Sequence, residues 1–425
     1  MSGICGVCHW NMTPVEPASL QDMARAAAYR GPDGISFWLG EGVGLAHLAL
    51  HVTPEQQRER LPLVVEHAGL ALVADARIDN RAELIAILGL KRHLAARHPT
   101  DAELILAAYQ RWGTACAAHL LGDFAFAIWD ARERRLFAAR DAMNMRALYY
   151  RTESQRLLFA TDGAQILALP EVPVRIFEPA VGAHLLGRFD RLDWTFYEGI
   201  AQLPPAHALV ANTMGVRTWR YWEVDPEARI EYTDERQYVE HFVDLFSEAV
   251  RCRLRSAYPA GVLLSGGLDS GSVASMGGWL RQQPGGGDLA PLRAYCFAFE
   301  SLPECDERSI SDGIVHHYDL PMTAISAETA WLLWNYPAHT PTGGSAAIEI
   351  IPITTQHAFM QLARNSFAAH VATAIDTTGH RLRRLARLAQ HVPVRRLRYP
   401  SGVQYLPNVQ RAIRDDLCTT LGMVA

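Results

Sequence analysis

Apolar and polar positions follow different rhythms in the two halves of this chain. In the first half they mark short strands between turns. Gly44–His51 and Leu70–Ile78 are apolar runs of strand length. Ser19–Tyr29 has helical spacing and meets a turn at Arg30-Gly31-Pro32-Asp33-Gly34. Asp101-Ala102-Glu103 opens a helix whose Leu104, Ile105, Ala108 and Trp112 share a face, and Gly113 stands where a C-terminal cap belongs. Over Asp123–Asp130, Phe124, Phe126 and Ile128 point one way, which predicts a half-buried strand. A charged turn follows, then strands at Leu136–Ala139, Ala147–Tyr150 and Leu157–Ala160. Strands joined this closely predict antiparallel sheets.

Beyond Pro226 the rhythm changes. Asp234 and Gln237 read as a helix start, and Val239, Phe242, Val243, Phe246 and Val250 form one apolar stripe. A strand at Gly261–Leu264, a helix at Val273–Leu280, a strand at Leu292–Phe299 and a helix at Glu307–Tyr318 then alternate. Alternation of this kind predicts a parallel sheet with helical crossovers. The boundary between the halves is expected near residues 205–235, and from about Pro337 no element can be placed.

Composition narrows the functional classes. The 425 residues are 49% hydrophobic and 20% charged, enough apolar material for two cores. Forty basic against forty-five acidic residues give a net charge of −5, which does not favour a nucleic-acid binder. No apolar run reaches membrane-spanning length, no signal peptide is visible, and seven scattered cysteines suit a reducing, cytoplasmic setting. Cys5-Gly6-Val7-Cys8 has the spacing of a redox or half-zinc motif, with small core thiols as the plainer reading. Lys91 is the only lysine, so the other 39 basic residues are arginine.

The chemistry centres on Ser265-Gly266-Gly267-Leu268-Asp269-Ser270, set between a strand and a helix. A glycine-rich turn at a helix N-terminus offers backbone N–H groups to an anion, and Ser265 and Ser270 add hydroxyl donors. Asp269 would repel a bare phosphate but is placed to hold a magnesium ion that bridges phosphates. The lysine of a Walker-type loop is missing. The stretch resembles the pyrophosphate loop of the ATP pyrophosphatase class, whose enzymes split ATP into AMP and pyrophosphate.

Other stretches widen the resemblance. Arg30-Gly31-Pro32-Asp33, Thr100-Asp101-Ala102-Glu103, Gly122–Asp130, Ala139-Arg140-Asp141, Leu148-Tyr149-Tyr150, Leu203-Pro204-Pro205 and Tyr221-Trp222 occur in the order seen in asparagine synthetases. Over about residues 1–330 the chain resembles that family. The resemblance implies an α+β Ntn-hydrolase-like sandwich of antiparallel sheets over 1–210. An α/β parallel-sheet ATP pyrophosphatase domain over 230–335 and a divergent or truncated segment over 336–425 would follow. It also implies ATP and Mg2+ as cofactors.

In that family the first domain hydrolyses glutamine with a cysteine exposed by removal of Met1, and the matching residue here is Ser2. A serine hydroxyl is a far poorer nucleophile unless a base activates it. The family's carboxylate-gripping arginine falls at or beside Leu48-Ala49-Leu50, and its Asn-Gly-Glu at Asp75-Ala76-Arg77. Only Asp101, which the resemblance assigns to the glutamine ammonium, is kept. Losing nucleophile, clamp and oxyanion donors together predicts an inactive glutaminase.

Without delivered ammonia, an amine of the substrate must attack the activated carboxylate. That is the logic of β-lactam synthetases and lasso-peptide cyclases, and stretches 74–81 and 249–255 resemble the lasso-cyclase branch. The expected partner is a small molecule or peptide carrying both a carboxylate and an amine, with no nucleic acid and no membrane. ATP is expected with its phosphates on Ser265, Gly266, Gly267, Leu268 and Ser270. Its adenine would lie against strand ends near Leu264 and Phe299, and Asp269 would act as the catalytic, magnesium-holding residue. Asp306-Glu307-Arg308 match a family stretch. They read either as contacts or as a helix start whose dipole favours acids.

After Trp331–Trp334 the family's aspartate-rich segment, second glycine-acidic loop and catalytic lysine are not found intact. Ile375–His380 reads as a remnant of that loop. Arg381, Arg383, Arg384, Arg387, Arg395, Arg396 and Arg398 form a basic stretch suited to an acidic leader peptide or to a plain solvated helix face. Lys91 lies in the first half, and arginine supplies charge but not a base. Two further readings therefore stand beside the ring-closing ligase: a glutamine-hydrolysing asparagine synthase, and a catalytically silent binding scaffold.

Overall fold

The computed structural model describes residues 1–90, 98–185, 188, 191–299 and 306–326, with the backbone of 334–335, 349–352 and 395–398. Contacts divide the chain into two units, Met1–Phe242 with Arg255–Tyr258, and Val243–Leu254 with Pro259–Ala425. The division falls inside one helix, Glu235–Arg253.

The first unit holds twelve strands among the described residues: β1 (Gly3–His9), β2 (Ile35–Gly40), β3 (Val43–Leu48), β4 (Leu63–Val65), β5 (Leu70–Ile78), β6 (Gly122–Asp130), β7 (Arg135–Arg140), β8 (Tyr149–Thr152), β9 (Arg156–Ala160), β10 (Ala201–Gln202), β11 (His207–Asn212) and β12 (Gly215–Arg220). They form two sheets, ordered β10-β8-β9-β1-β3-β2 and β12-β11-β7-β6-β5-β4. Every pairing in them is antiparallel. Helices α1 (Pro17–Ala26) and α4 (Gly163–Leu167) cover the first sheet, and α2 (Arg81–Ile87) and α3 (Asp101–Trp112) cover the second. Helix α5 (Glu178–Leu185) completes the unit. The result is an Ntn-hydrolase-like sandwich of four layers, helix, sheet, sheet, helix.

Side-chain alternation assigns the layers. On β1, Cys5 and Val7 meet Leu20 and Met23 of α1, while Ile4 and Cys8 face the other sheet. Cys5 and Cys8 therefore sit on opposite faces, as residues three apart on a strand must. Burial pushes both thiols up, Cys5 to about 12, so they are core residues and not a redox or metal pair. The half-buried reading of β6 needs correction. Phe124, Phe126 and Ile128 pack towards α3, but Ala125, Ala127 and Trp129 are buried against the other sheet. The alternation is of large and small side chains, not of apolar and polar ones, and it lets the two sheets approach closely over the alanines.

In the second unit, β13 (Ala260–Leu263), β14 (Leu292–Ala298) and β15 (Met322–Ser326) form a parallel sheet in that order. Helices α7 (Leu268–Gln282) and α8 (Arg308–Tyr318) are the crossovers. Helix α6 (Glu235–Arg253) contributes Val250 and Phe246 to the core with Leu254, Leu280, Leu292 and Leu320. The predicted apolar stripe is only partly a core stripe, because Val239 and Phe242 are 63% and 65% exposed. Three short strands, β16 (Trp334–Asn335), β17 (Glu349–Pro352) and β18 (Arg395–Arg398), pair among themselves. Lys91, Ile375–His380 and residues 381–394 of the basic stretch lie outside the described residues. No described helix is long and apolar enough to cross a membrane.

Candidate functional site

The expected glutamine end of the first unit lies where β1 begins and β5 ends. Ser2 is buried, and its Oγ donates to the Leu50 carbonyl at 3.2 Å and accepts from the Leu50 N–H at 3.0 Å. No base contacts it among the described residues. Asp75, at the family's oxyanion position, is buried and pairs with Arg146 at 3.2 Å. Burial pushes its carboxyl up against the pull of Arg146. A carboxylate there repels a developing oxyanion where the chemistry needs a donor.

Asp101 is placed by a capping box. Thr100 Oγ1 accepts from the Glu103 N–H at 3.2 Å, and the Glu103 carboxylate accepts from the Thr100 N–H at 2.8 Å, so Asp101 is the first residue of α3. Its carboxylate does not face an empty site. Arg81, the first residue of α2, binds it directly, and Arg255 lies 3.6 Å from its second oxygen. Glu55 closes the ring, at 3.0 Å from Arg255 and 3.7 Å from Arg81. Burial would raise the Glu55 carboxyl, but the two guanidinium groups hold it below the usual range. Two cations and two anions balance each other here. No sequence spacing signals this ring, because Glu55 and Arg255 stand 200 positions apart in the chain.

The second candidate site is built on the loop after β13. Gly266 has φ +67°, and a Cβ there would lie 2.8 Å from Glu307 Cβ, so only glycine fits. Gly267 caps α7, and Ser265 N–H donates to Ser270 Oγ at 3.1 Å while the two hydroxyl oxygens lie 3.1 Å apart. The loop stands at the carboxyl end of a parallel strand, where open α/β sheets bind ligands, with the first N–H groups of α7 unused by the helix. Leu268 is 85% exposed, and Asp269 sits in the first turn.

Beside the loop is a cleft of about 230 Å³ that brings the predicted Leu264, Ser265 and Phe299 together with Tyr295, Glu307, Arg308 and Ser311. Gly266, Gly267, Leu268, Asp269 and Ser270 are not part of its wall. Of the Asp306-Glu307-Arg308 stretch, Asp306 has a structural task. It accepts from the Phe299 N–H at 3.2 Å and pairs with Arg308 at 2.6 Å, and those hydrogen bonds, chiefly from Arg308, hold its carboxyl down at about 2. Glu307, pressed against Gly266, joins the loop itself.

No group of three or more His, Cys, Asp or Glu residues that could hold a metal occurs among the described residues. Asp269 alone suits magnesium, which keeps few protein ligands and is held mainly by phosphate oxygens and water.

This architecture defines a glutamine amidotransferase-type sandwich followed along the chain by a parallel-sheet α/β domain with a glycine-rich strand–helix loop. Residues 1–222 match the glutamine amidotransferase domain family, and residues 241–338 match the asparagine synthase family. The chain belongs to the asparagine synthetase family. It is 30% identical over 304 residues to asparagine synthetase [glutamine-hydrolyzing] 3 of Bacillus subtilis, covering 70% of this chain and 48% of that protein. It is 26% identical to a putative asparagine synthetase [glutamine-hydrolyzing] 2 of Methanocaldococcus jannaschii, over 71% of this chain and 60% of that one. It is also 30% identical to the amidase chry2 of Gibberella zeae, over 67% and 43%. The chain thus spans between two fifths and three fifths of the length of these relatives.

Proposed function

We propose that this chain belongs to an ATP-dependent ligase that activates a substrate carboxylate and joins it to an amine of the substrate, not to ammonia from glutamine. The observation that carries this reading is the contrast between its two sites. The Ser265–Ser270 loop keeps a shape that only glycine at 266 permits, while Asp101 is already neutralised by Arg81. ATP would rest its phosphates on the N–H groups of Gly267–Ser270 and the hydroxyls of Ser265 and Ser270, with adenine in the cleft by Leu264 and Phe299.

The substrate carboxylate oxygen attacks the α-phosphorus, the bond to the β-phosphate oxygen breaks, and pyrophosphate leaves with an acyl adenylate behind it. The amine nitrogen then forms the C–N bond at the acyl carbon, AMP departs with the C–O electron pair, and the amine proton passes to solvent. Magnesium, held by Asp269, would offset charge on the leaving pyrophosphate. A small molecule or peptide bearing both groups would close a ring, as in the β-lactam synthetase and lasso-cyclase logic, with residues 381–398 suited to an acidic leader.

ATP–pyrophosphate exchange with candidate amino-carboxylate peptides tests the reading. Exchange that falls at least tenfold in Asp269→Ala supports it. Tight ATP binding with no exchange for any substrate supports the silent scaffold. Glutamine-dependent ammonia release would restore the asparagine synthase reading.

A further inference from the structure

A second cavity lies at the other end of the sandwich. It measures about 580 Å³ and is walled by Trp38, Trp129, Glu41, Glu66 and Arg134 with Met12. The strand registers separate it from the glutamine end. On β1, Gly3 pairs with Leu48 and Cys8 with Val43, so the β2–β3 turn that carries Glu41 is at the far end from Ser2. On β5, Leu70 pairs with Asp130 and Ile78 with Gly122, which puts Trp129 and Glu66 opposite the Asp101 end. At 3.3 Å per residue the two ends are roughly 20 Å apart.

Its chemistry is specific. Trp129 is buried at the cavity floor with no ring face open to a ligand, and the half-buried Trp38 packs so closely on the turn that a Cβ on Gly40 would come within 2.4 Å of its ring. Gly40 is thus what lets the indole lie across the cavity wall. The carboxylates of Glu41 and Glu66 make no ion pair or side-chain hydrogen bond among the described residues, and neither indole N–H has an acceptor there. Two carboxylates against the one guanidinium of Arg134 leave the wall with a net charge of −1. Indole faces attract cations through the ring quadrupole, and uncompensated carboxylates add to that attraction.

We propose that this cavity binds a small organic cation, an ammonium group on an apolar body, through Trp38, Glu41 and Glu66. Arg134 opposes the charge and sets the affinity.

Calorimetric titration of the full chain with choline, and with its neutral isostere 3,3-dimethylbutanol at matched ionic strength, tests the proposal. Choline is expected to bind at least tenfold more tightly than the alcohol. Glu41→Gln with Glu66→Gln should weaken choline at least tenfold, Trp38→Ala likewise, and Arg134→Gln should strengthen it. Both glutamates are exposed, so the double variant should keep the parent's circular dichroism and melting temperature. Equal affinity for choline and the alcohol, no binding of either, or unchanged choline binding in a folded Glu41→Gln/Glu66→Gln variant would overturn it.

Discussion

The Arg81 guanidinium closes on the Asp101 carboxylate, each residue being the first of its own helix. An anion at a helix N-terminus is favoured and a cation is not, so Arg81 stays at its helix start because of its partners. Removing one member of a buried pair leaves the other uncompensated. Arg81→Ala should therefore destabilise the first unit by roughly 2–4 kcal/mol in urea unfolding, with Arg255 limiting the loss. Arg81→Ala with Asp101→Asn should recover part of it. The parent chain should release no ammonia from glutamine, and Ser2→Cys alone should not restore release, because Arg81 would still neutralise Asp101 and Asp75 would still stand where the resemblance puts the oxyanion donors.

Gly266 is the second dependency. An alanine there would carry both the left-handed backbone penalty and the collision with Glu307. Gly266→Ala should cost roughly 1–3 kcal/mol and lower ATP affinity, read by thermal shift with and without ATP. Gly285 has φ +80°, but a methyl group there would meet nothing within 4 Å. Gly285→Ala should therefore cost only about 1 kcal/mol and leave ATP binding unchanged.

Strands β3, β5, β6, β7, β8, β9, β13 and β14 and helices α1, α3, α6, α7 and α8 are legible in the sequence because their apolar periods are strong or their ends are marked, as by Thr100-Asp101-Ala102-Glu103 and Gly113. Strands β1, β2, β4, β10, β11, β12 and β15 and helices α2, α4 and α5 are not. Burial is less legible. The run Phe124–Trp129 hides its second buried face behind alanines, which read as neutral in a hydrophobic alternation. The loop at 265–270 declares itself through two glycines in a strand–helix context. Its neighbours Tyr295, Glu307 and Ser311 come together only through the parallel register of β13 and β14, which sequence does not state. The charge ring around Asp101 is invisible for the same reason, since Arg255 reaches it across 154 positions.

Ser311 is fully buried in α8, and its Oγ has no hydrogen-bond partner among the described residues. A buried hydroxyl without a partner costs the desolvation that its hydrogen bond would have offset. Ser311→Ala should therefore stabilise the second unit by about 0.5–1 kcal/mol, measured as a rise in urea midpoint at constant slope. A loss of stability would show that the hydroxyl has a partner, such as an ordered water.

Glu59 supplies a pH signature at the Asp101 helix. Its carboxylate accepts from the Ala102 N–H at 3.0 Å, but burial, with Asp101 adding repulsion, pushes it up to about 7. The folded state thus holds a proton that the unfolded chain gives up near pH 4.3. The sign follows from linkage: this contribution is full below about pH 4.3 and is lost as pH rises through 7. A fully buried group would lose ~1.4 kcal/mol for each pH unit of that window. Because the side chain keeps partial contact with solvent, the total loss should be smaller, roughly 1–2 kcal/mol. Urea unfolding from pH 4.5 to 7.5 should show stability falling across that window in the parent and a flatter profile in Glu59→Gln. The same slope in both proteins would assign the titration to another group.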